Sequence, residues 1–247
     1  AVFAVASPKA ALELLSLVRA EVGEAVSAFE IIHQQGFNFL SEKLPNVRQP
    51  FVQPPEWTVL VELGLGANVD GQAALENIFT TALGQGLLSD GLIAQSEGQR
   101  QEFWSVREHI PEANRLIGSI SSHDISLPLT AVPEFIVRAN NVMETMGPFR
   151  INCFGHLGDG NLHYNVFPMS GKTQQDHLEE RNKVKLSLHD LVHEMGGSVS
   201  AEHGVGRLKV ADLERYADPV KLKTMRAIKS ALDPKGIMNP GAVLRRA

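Results

Sequence analysis

The amino-acid sequence predicts an α+β domain: a ferredoxin-like antiparallel sheet covered by helices, with additional helices at the C-terminal end. Three observations carry that prediction. Short β-rich apolar runs alternate with longer segments whose apolar residues recur at helical spacing. From Ala1 to Ala94 these fall in the order strand, helix, strand, strand, helix, strand, which is the order of a split βαβ unit. A hydrophobic fraction of 43% and a charged fraction of 21% over 247 residues suit a chain that buries a sizeable core.

The elements follow in order. Residues 1–7 are β-rich and alternate weakly. Ser7 is placed to cap a helix with Pro8 in its first turn. Ala11, Leu12, Leu14, Leu15, Val18 and Val22 then recur at helical spacing up to Gly23. Val26 to Ile32 and Thr58 to Leu63 read as strands, and the proline-rich stretch from Pro45 to Pro55 as an excursion between them. Asp70 to Leu87 carries a helical pattern, followed by a short strand around Leu92 to Ala94. Next come a helix from Glu97 to Ile117, an extended stretch through Asp124 to Pro128, and a helix from Val132 to Met146. Arg150 to Phe154 and Leu162 to Phe167 flank a glycine turn as two strands. Gln174 to Met195 is a charged helix closed by Gly196-Gly197, Ser198 to Ser200 a last short strand, and helices fill most of the remainder. No internal repeat is evident, so the expectation is one domain over residues 1–247.

Composition narrows the function classes. A net charge of -5 without any block of Lys or Arg argues against a nucleic-acid surface. No apolar run approaches the roughly 18 residues that cross a bilayer. One cysteine, Cys153, rules out an internal disulfide and fits a reducing compartment, so a cytoplasmic location is expected. The chain enters directly into a strand without Met or a basic leader, and is expected to be a segment of a longer protein. It contains no complete Gly-x-Gly-x-x-Gly, no Walker A loop and no Gly-x-Ser-x-Gly elbow.

Two motifs concentrate the chemistry. Gly155-His156-Leu157-Gly158-Asp159-Gly160-Asn161-Leu162-His163-Tyr164-Asn165 sets two histidines across a tight-turn signal. A hairpin there brings His156 and His163 together, either as ligands of one ion or as polar residues bonded to backbone. Ser200-Ala201-Glu202-His203-Gly204-Val205-Gly206 adds an adjacent acid and imidazole, with a helix expected to begin at its glycines. Two neutral imidazoles and a carboxylate form a ligand set that leaves positions open on a catalytic divalent metal. Adjacent side chains on extended backbone point to opposite sides, so Glu202 and His203 divide into one ligand and one base.

Other candidates weigh less. His189-Asp190-Leu191-Val192-His193 places two histidines one helical turn apart, but Asp190 is shorter than the Glu a zincin helix needs. Its charged surroundings read as a solvated face. Arg107, on the Glu97–Ile117 helix, either grips a substrate carboxylate bidentately or forms a surface salt bridge with a nearby Glu. His33, His109 and His177 have no evident partners, and Cys153 reads as a core residue.

The stretches 155–163, 200–206 and 232–241 (Leu-Asp-Pro-Lys-Gly-Ile-Met-Asn-Pro-Gly) resemble the C-terminal domain of the FAD-linked oxidases. That group includes D-lactate dehydrogenases, D-2-hydroxyglutarate dehydrogenases and glycolate oxidase subunits. Phe103 to Arg107 and Asp124 to Pro128 fit as well, so the resemblance spans nearly the whole chain. It implies a separate N-terminal domain of the vanillyl-alcohol oxidase type that holds FAD. It further implies a divalent metal, usually zinc and sometimes manganese, on His156, His163 and Glu202. Asn165 would touch substrate, His203 would be the base, Arg107 would hold the substrate carboxylate, and Asn239 lies in the segment that approaches the flavin. The implied partners are a small 2-hydroxy acid, the FAD domain in the same chain and an electron-acceptor protein or quinone, with a homodimer allowed. Two positions depart from the pattern: Ser122 stands where relatives often have a substrate-binding Lys, and Ala242 where they commonly have Lys. The first weakens the case for 2-hydroxyglutarate, whose second carboxylate loses a candidate cation.

The expected function is therefore oxidation of a D-2-hydroxy acid to the 2-oxo acid, with hydride passing to FAD. Two alternatives stay open: a metal-dependent hydrolase using the same ligands to activate water, and a non-catalytic module that keeps the metal for stability or sensing.

Overall fold

Seven strands form one sheet in the order β4-β1-β3-β2-β6-β7-β5, with every neighbouring pair antiparallel, in a computed structural model that describes residues 1–245. The strands are β1 (Val2–Val5), β2 (Val26–His33), β3 (Trp57–Leu63), β4 (Leu88–Leu92), β5 (Ser121–Ser126), β6 (Arg150–His156) and β7 (Asn161–Phe167). The helices are α1 (Pro8–Val22), α2 (Gln34–Lys43), α3 (Gly71–Gly84), α4 (Glu97–Ile117), α5 (Val132–Met146), α6 (Leu178–Glu194), α7 (Val210–Tyr216) and α8 (Pro219–Leu232).

The sheet is a duplication. β1, α1, β2, β3, α3 and β4 make one ferredoxin-like unit with strand order 4-1-3-2. β5, α5, β6, β7 and α6 repeat it, and the fourth strand of the repeat is reduced to one antiparallel bridge between Ser126 and Ser198. The strand expected at Ser198 to Ser200 is that bridge alone. The two units join edge to edge through β2 and β6, where Glu30 faces His156 and Ile32 faces Phe154. Antiparallel pairing at this seam buries what would otherwise be two exposed strand edges.

Side chains alternate between the two faces of the sheet. One face packs Ile31, Val59, Ile125 and Tyr164 against α1, α3, α5 and α6 through Leu14, Ile78, Phe135 and Val184. On the other, Ile32, Phe154 and Phe167 pack under α2 and α4 through Phe37, Leu40 and Ile110. This second face is only partly apolar, and its polar part holds the site.

Ser7 caps α1 as the sequence predicts, its Oγ accepting from Ala10 N, and the structure adds two further caps: Asp70 accepts from Ala73 N and Ser96 from Gln99 N. Four local expectations change. α2 was not anticipated: it starts at the end of β2 with His33 Nδ1 as its cap and carries Gly36, which mutes its periodicity. β4 begins at Leu88 rather than near Leu92, because Gly86, at φ 72°, ends the preceding helical turn early. The helix expected from Gln174 splits into a 3₁₀ turn (Gln174–His177) and α6. No helix begins at Gly204: Gly204 and Gly206 adopt φ 67° and 52°, and α7 starts at Val210. Among the described residues, no helix is long and apolar enough to cross a membrane.

Candidate active site

The polar part of the α2/α4 face consists of cross-strand rows. His156 of β6 pairs with Glu30 of β2. The next row runs Phe154, His163, Asp124 across β6, β7 and β5, and the one beyond it Asn152, Asn165, Ser122. Residues paired across antiparallel strands share a face, so the register alone gathers these groups.

Two connections complete the site. The β6–β7 turn docks through Gly160, at φ 78°, on the chain leaving β5: Leu127 N donates to Gly160 O at 3.0 Å. The loop after the Ser126–Ser198 bridge folds back over the sheet because the buried Asp124 carboxylate collects its backbone. Asp124 Oδ2 accepts from the N–H groups of Glu202 and His203, each at 3.0 Å, while Oδ1 accepts from Asn161 Nδ2 at 2.9 Å. Glu202 Oε1 thereby lies 3.1 Å from His156 Nε2, and His203 Nδ1 lies 3.5 Å from Asp124 Oδ2. The rings of His163 and His203 stack with centroids 6.0 Å apart. Because the backbone here bends rather than extends, Glu202 and His203 both line the cleft, contrary to the opposite-sides expectation.

Arg107 is buried. Its Nε donates to Glu30 Oε2 at 2.7 Å, and its guanidinium carbon lies 4.8 Å above the Phe154 ring. Its partner is thus a strand residue distant in sequence, not the nearby surface Glu of the simpler reading. The two Nη groups have no protein acceptor among the described residues, and Arg107 forms part of the cleft wall. The other Glu30 oxygen meets His156 Nδ1 at 2.5 Å.

The charges follow from these contacts. Burial alone raises the Glu30 pKa, but the His156 hydrogen bond and the Arg107 charge outweigh it and hold the carboxyl below its ordinary value. The same bond with Glu30 raises His156. Burial, reinforced by Arg107, lowers His163 to about 4, so this imidazole is neutral near pH 7. Burial opposes ionisation of Asp124 as well, yet the His203 N–H and the Asn161 amide hold its pKa down.

Most of the sequence-predicted site converges. Single ligand atoms of His156, His163 and Glu202 lie within 4.8 Å of one another, the one such group among the described residues. Arg107, Asn165 and His203 line the same cleft, of about 790 Å³. Asn239 does not line it. It stands exposed at φ 44° on a loop tied back where Val243 N donates to Gly206 O. The His189–His193 pair lies elsewhere: His189 is buried 3.4 Å from Asp212 of α7, and Asp190 bonds Arg215 and Tyr216. His189 is thus packed against α7, while Asp190 and His193 stay exposed on the solvated face their charges suggested.

Two residues of the site escape a reading by motif. Glu30 had a signal, as the only charge in the otherwise apolar stretch Val26 to Ile32. Asp124 stood in a segment that fits the family resemblance, but its role had no local signal, since the backbone groups it collects lie 78 and 79 residues away.

A family model described as FAD linked oxidases, C-terminal domain, matches residues 1–243. D-2-hydroxyglutarate dehydrogenase, mitochondrial, of Arabidopsis thaliana is 33% identical over 233 residues, 94% of this chain and 40% of that protein. D-2-hydroxyglutarate dehydrogenase of Xanthomonas citri pv. viticola is 34% identical over 193 residues, 78% of this chain and again 40% of its relative. The chain thus spans well under half the length of these proteins. Among solved structures, 4-ethylphenol oxidase from Gulosibacter chungangensis superposes with a TM-score of 0.58 at 12% identity, covering 99% of this chain and 53% of that one, a likeness of fold. The match over residues 1–243 shows the family: the chain belongs to the FAD-linked oxidases, as their C-terminal domain.

Proposed function

We propose that this domain is the substrate- and metal-binding half of a flavin-dependent D-2-hydroxy acid dehydrogenase. The observation that carries the reading is one cleft holding a two-histidine, one-carboxylate group, a guanidinium with its Nη groups unclaimed, and a further histidine. The donor set suits a divalent cation such as zinc or manganese. His163 is neutral, and Glu30 anchors His156 through Nδ1 so that Nε2 faces Glu202, the arrangement of a metal-bound histidine with a carboxylate behind it. A cation held by His156, His163 and Glu202 would supply Lewis-acid polarisation of the substrate's hydroxyl and carboxylate oxygens. A flavin held by the remainder of the protein would supply the acceptor for the hydride from C2.

The residues of this chain then have separate tasks. Arg107 takes the C1 carboxylate through its two Nη groups, with Nε fixed on Glu30. His203 accepts the hydroxyl proton at Nε2, because Nδ1 faces Asp124. Asn165, its Oδ1 engaged by His123 N at 3.2 Å, offers its amide N–H₂ to substrate. Asn239, exposed on its anchored loop, is available to approach the flavin.

The test is metal analysis and acceptor-coupled turnover of D-2-hydroxy acids by the flavin-loaded protein that contains this chain. About one divalent ion per chain is expected for a three-ligand site. His163→Ala should abolish it and His193→Ala should not. His203→Ala should keep the metal while kcat falls roughly 10²–10⁴-fold, the scale for a lost general base. Turnover that needs no flavin would support the hydrolase reading instead.

A further inference from the structure

The cleft continues past the ligand group, and its far end has a different chemistry. Next to the row of His163 and Asp124, two residues along the strands and so about 7 Å away, lies the row Asn152, Asn165, Ser122. Its side chains are amides and a hydroxyl, and so are their neighbours. Asn152 Nδ2 donates to Asn114 Oδ1 of α4 at 2.9 Å, which leaves the Asn114 N–H₂ without a protein acceptor among the described residues, on the cleft wall. Ser122 Oγ and Ser119 Oγ share a hydrogen bond of 2.7 Å, and Gln174 closes that end.

Among the described residues, no fixed cation reaches this row. Arg107 is held on Glu30, two rows away. Lys209 also lines the cleft, but its Nζ donates to Val199 O at 3.1 Å and to Ser200 Oγ at 3.3 Å. Arg115 sits on the rim with its side chain 73% exposed. A carboxylate placed over the row would shed water without gaining a counter-charge, which is costly, whereas a hydroxyl or amide finds donors and acceptors of its own kind.

We propose that this cleft selects a D-2-hydroxy acid whose tail is uncharged and polar, carrying a hydroxyl or carboxamide near C4–C5, over one that ends in a second carboxylate. The selection rests on the 2-hydroxy acid reading above. With C1 and C2 oxygens at Arg107 and the ligand group, the tail of a five-carbon acid extends over Asn165, Asn114 and Ser122.

The experiment compares kcat/KM of the flavin-loaded protein for four D-acids of equal length: 2-hydroxyglutarate, its C5 amide, 2,5-dihydroxypentanoate and 2-hydroxypentanoate. The amide or the dihydroxy acid should exceed 2-hydroxyglutarate by at least about tenfold, the scale of one matched hydrogen-bond partner. Ser122→Lys should reverse the order by raising 2-hydroxyglutarate, and Arg115→Ala should leave it unchanged. Preference for 2-hydroxyglutarate, or its loss on Arg115→Ala, overturns the selection while leaving the dehydrogenase reading intact. A best rate with 2-hydroxypentanoate overturns it too. Turnover of none of the four removes the 2-hydroxy acid reading, and the selection with it.

Discussion

Glu30 serves two neighbours with one carboxylate, Arg107 through Oε2 and His156 through Oε1, from a side chain only 3% exposed. Each contact fixes an orientation the proposed chemistry needs: the Nη groups of Arg107 toward substrate and Nε2 of His156 toward Glu202. Glu30→Gln keeps the shape but removes the charge both partners rely on. Its expected outcome is a divalent-metal affinity lower by about 10–100-fold, the usual effect of losing a carboxylate behind a histidine ligand, together with a raised KM. Competition against a chelating dye measures the first and steady-state kinetics the second. An unchanged metal affinity would reduce Glu30 to a partner of Arg107 alone. At this scale the motif residues His156, His163, Glu202 and His203 were legible because glycine-rich turns gather them locally. Glu30 and Asp124 were not, because what they hold comes from distant segments: Glu30 takes Arg107 of α4 and His156 of the paired strand, and Asp124 takes the backbone N–H groups of Glu202 and His203.

At the scale of elements, the hairpin of β6 and β7 and the loop from Ser198 to Gly206 are pinned to the same strand, β5. Gly160 is the tightest of these pins. A Cβ there would stand 2.1 Å from the Leu127 carbonyl oxygen, and the residue sits at φ 78°. Gly160→Ala combines left-handed strain of about 1–2 kcal/mol with a backbone overlap of about 1–3 kcal/mol. A loss of about 2–5 kcal/mol in urea unfolding is expected, and metal binding should fall with it, because the turn carries His156 and His163. Gly158→Ala is the control: its Cβ would meet nothing nearer than the Phe29 Cβ at 3.9 Å, and little change is expected. A Gly160→Ala protein as stable as the parent would mean the turn is not held by β5. Periodicity and caps located nearly all elements, since those signals are local. α2 and the start of α7 escaped because a strand-end cap and two left-handed glycines decide them.

At the scale of the molecule, the first ferredoxin-like unit was legible as an order of elements. Its repeat was not, because the two units share a topology while each face carries different side chains. The second unit's fourth strand has also shrunk to the Ser198 bridge. The units differ in how much ionisable surface they bury. His123 of β5 and His189 of α6 meet edge to face at 5.1 Å behind the sheet, and Asp212 of α7 lies 3.4 Å from His189. Burial lowers His123 well below its ordinary 6.5, with the neighbouring His189 adding to the effect, and burial lowers His189 as well. Both folded-state values are depressed, so below about pH 6.5 the unfolded chain binds protons the fold refuses, and stability falls with pH by up to about 1.4 kcal/mol per unit for each group. Above pH 6.5 neither group contributes a slope. Acidification from pH 7.5 to 5.0 should therefore open β5, β7 and α6 before β1 and β3, as read by amide hydrogen exchange. His123→Leu should reduce the pH dependence of the urea midpoint across that window without abolishing it, since His163 and His189 stay depressed, and leave the midpoint above pH 7 comparatively little changed. A variant with the parent's full acid slope would place the lability elsewhere, and exchange that rises equally in both units would show that they open as one.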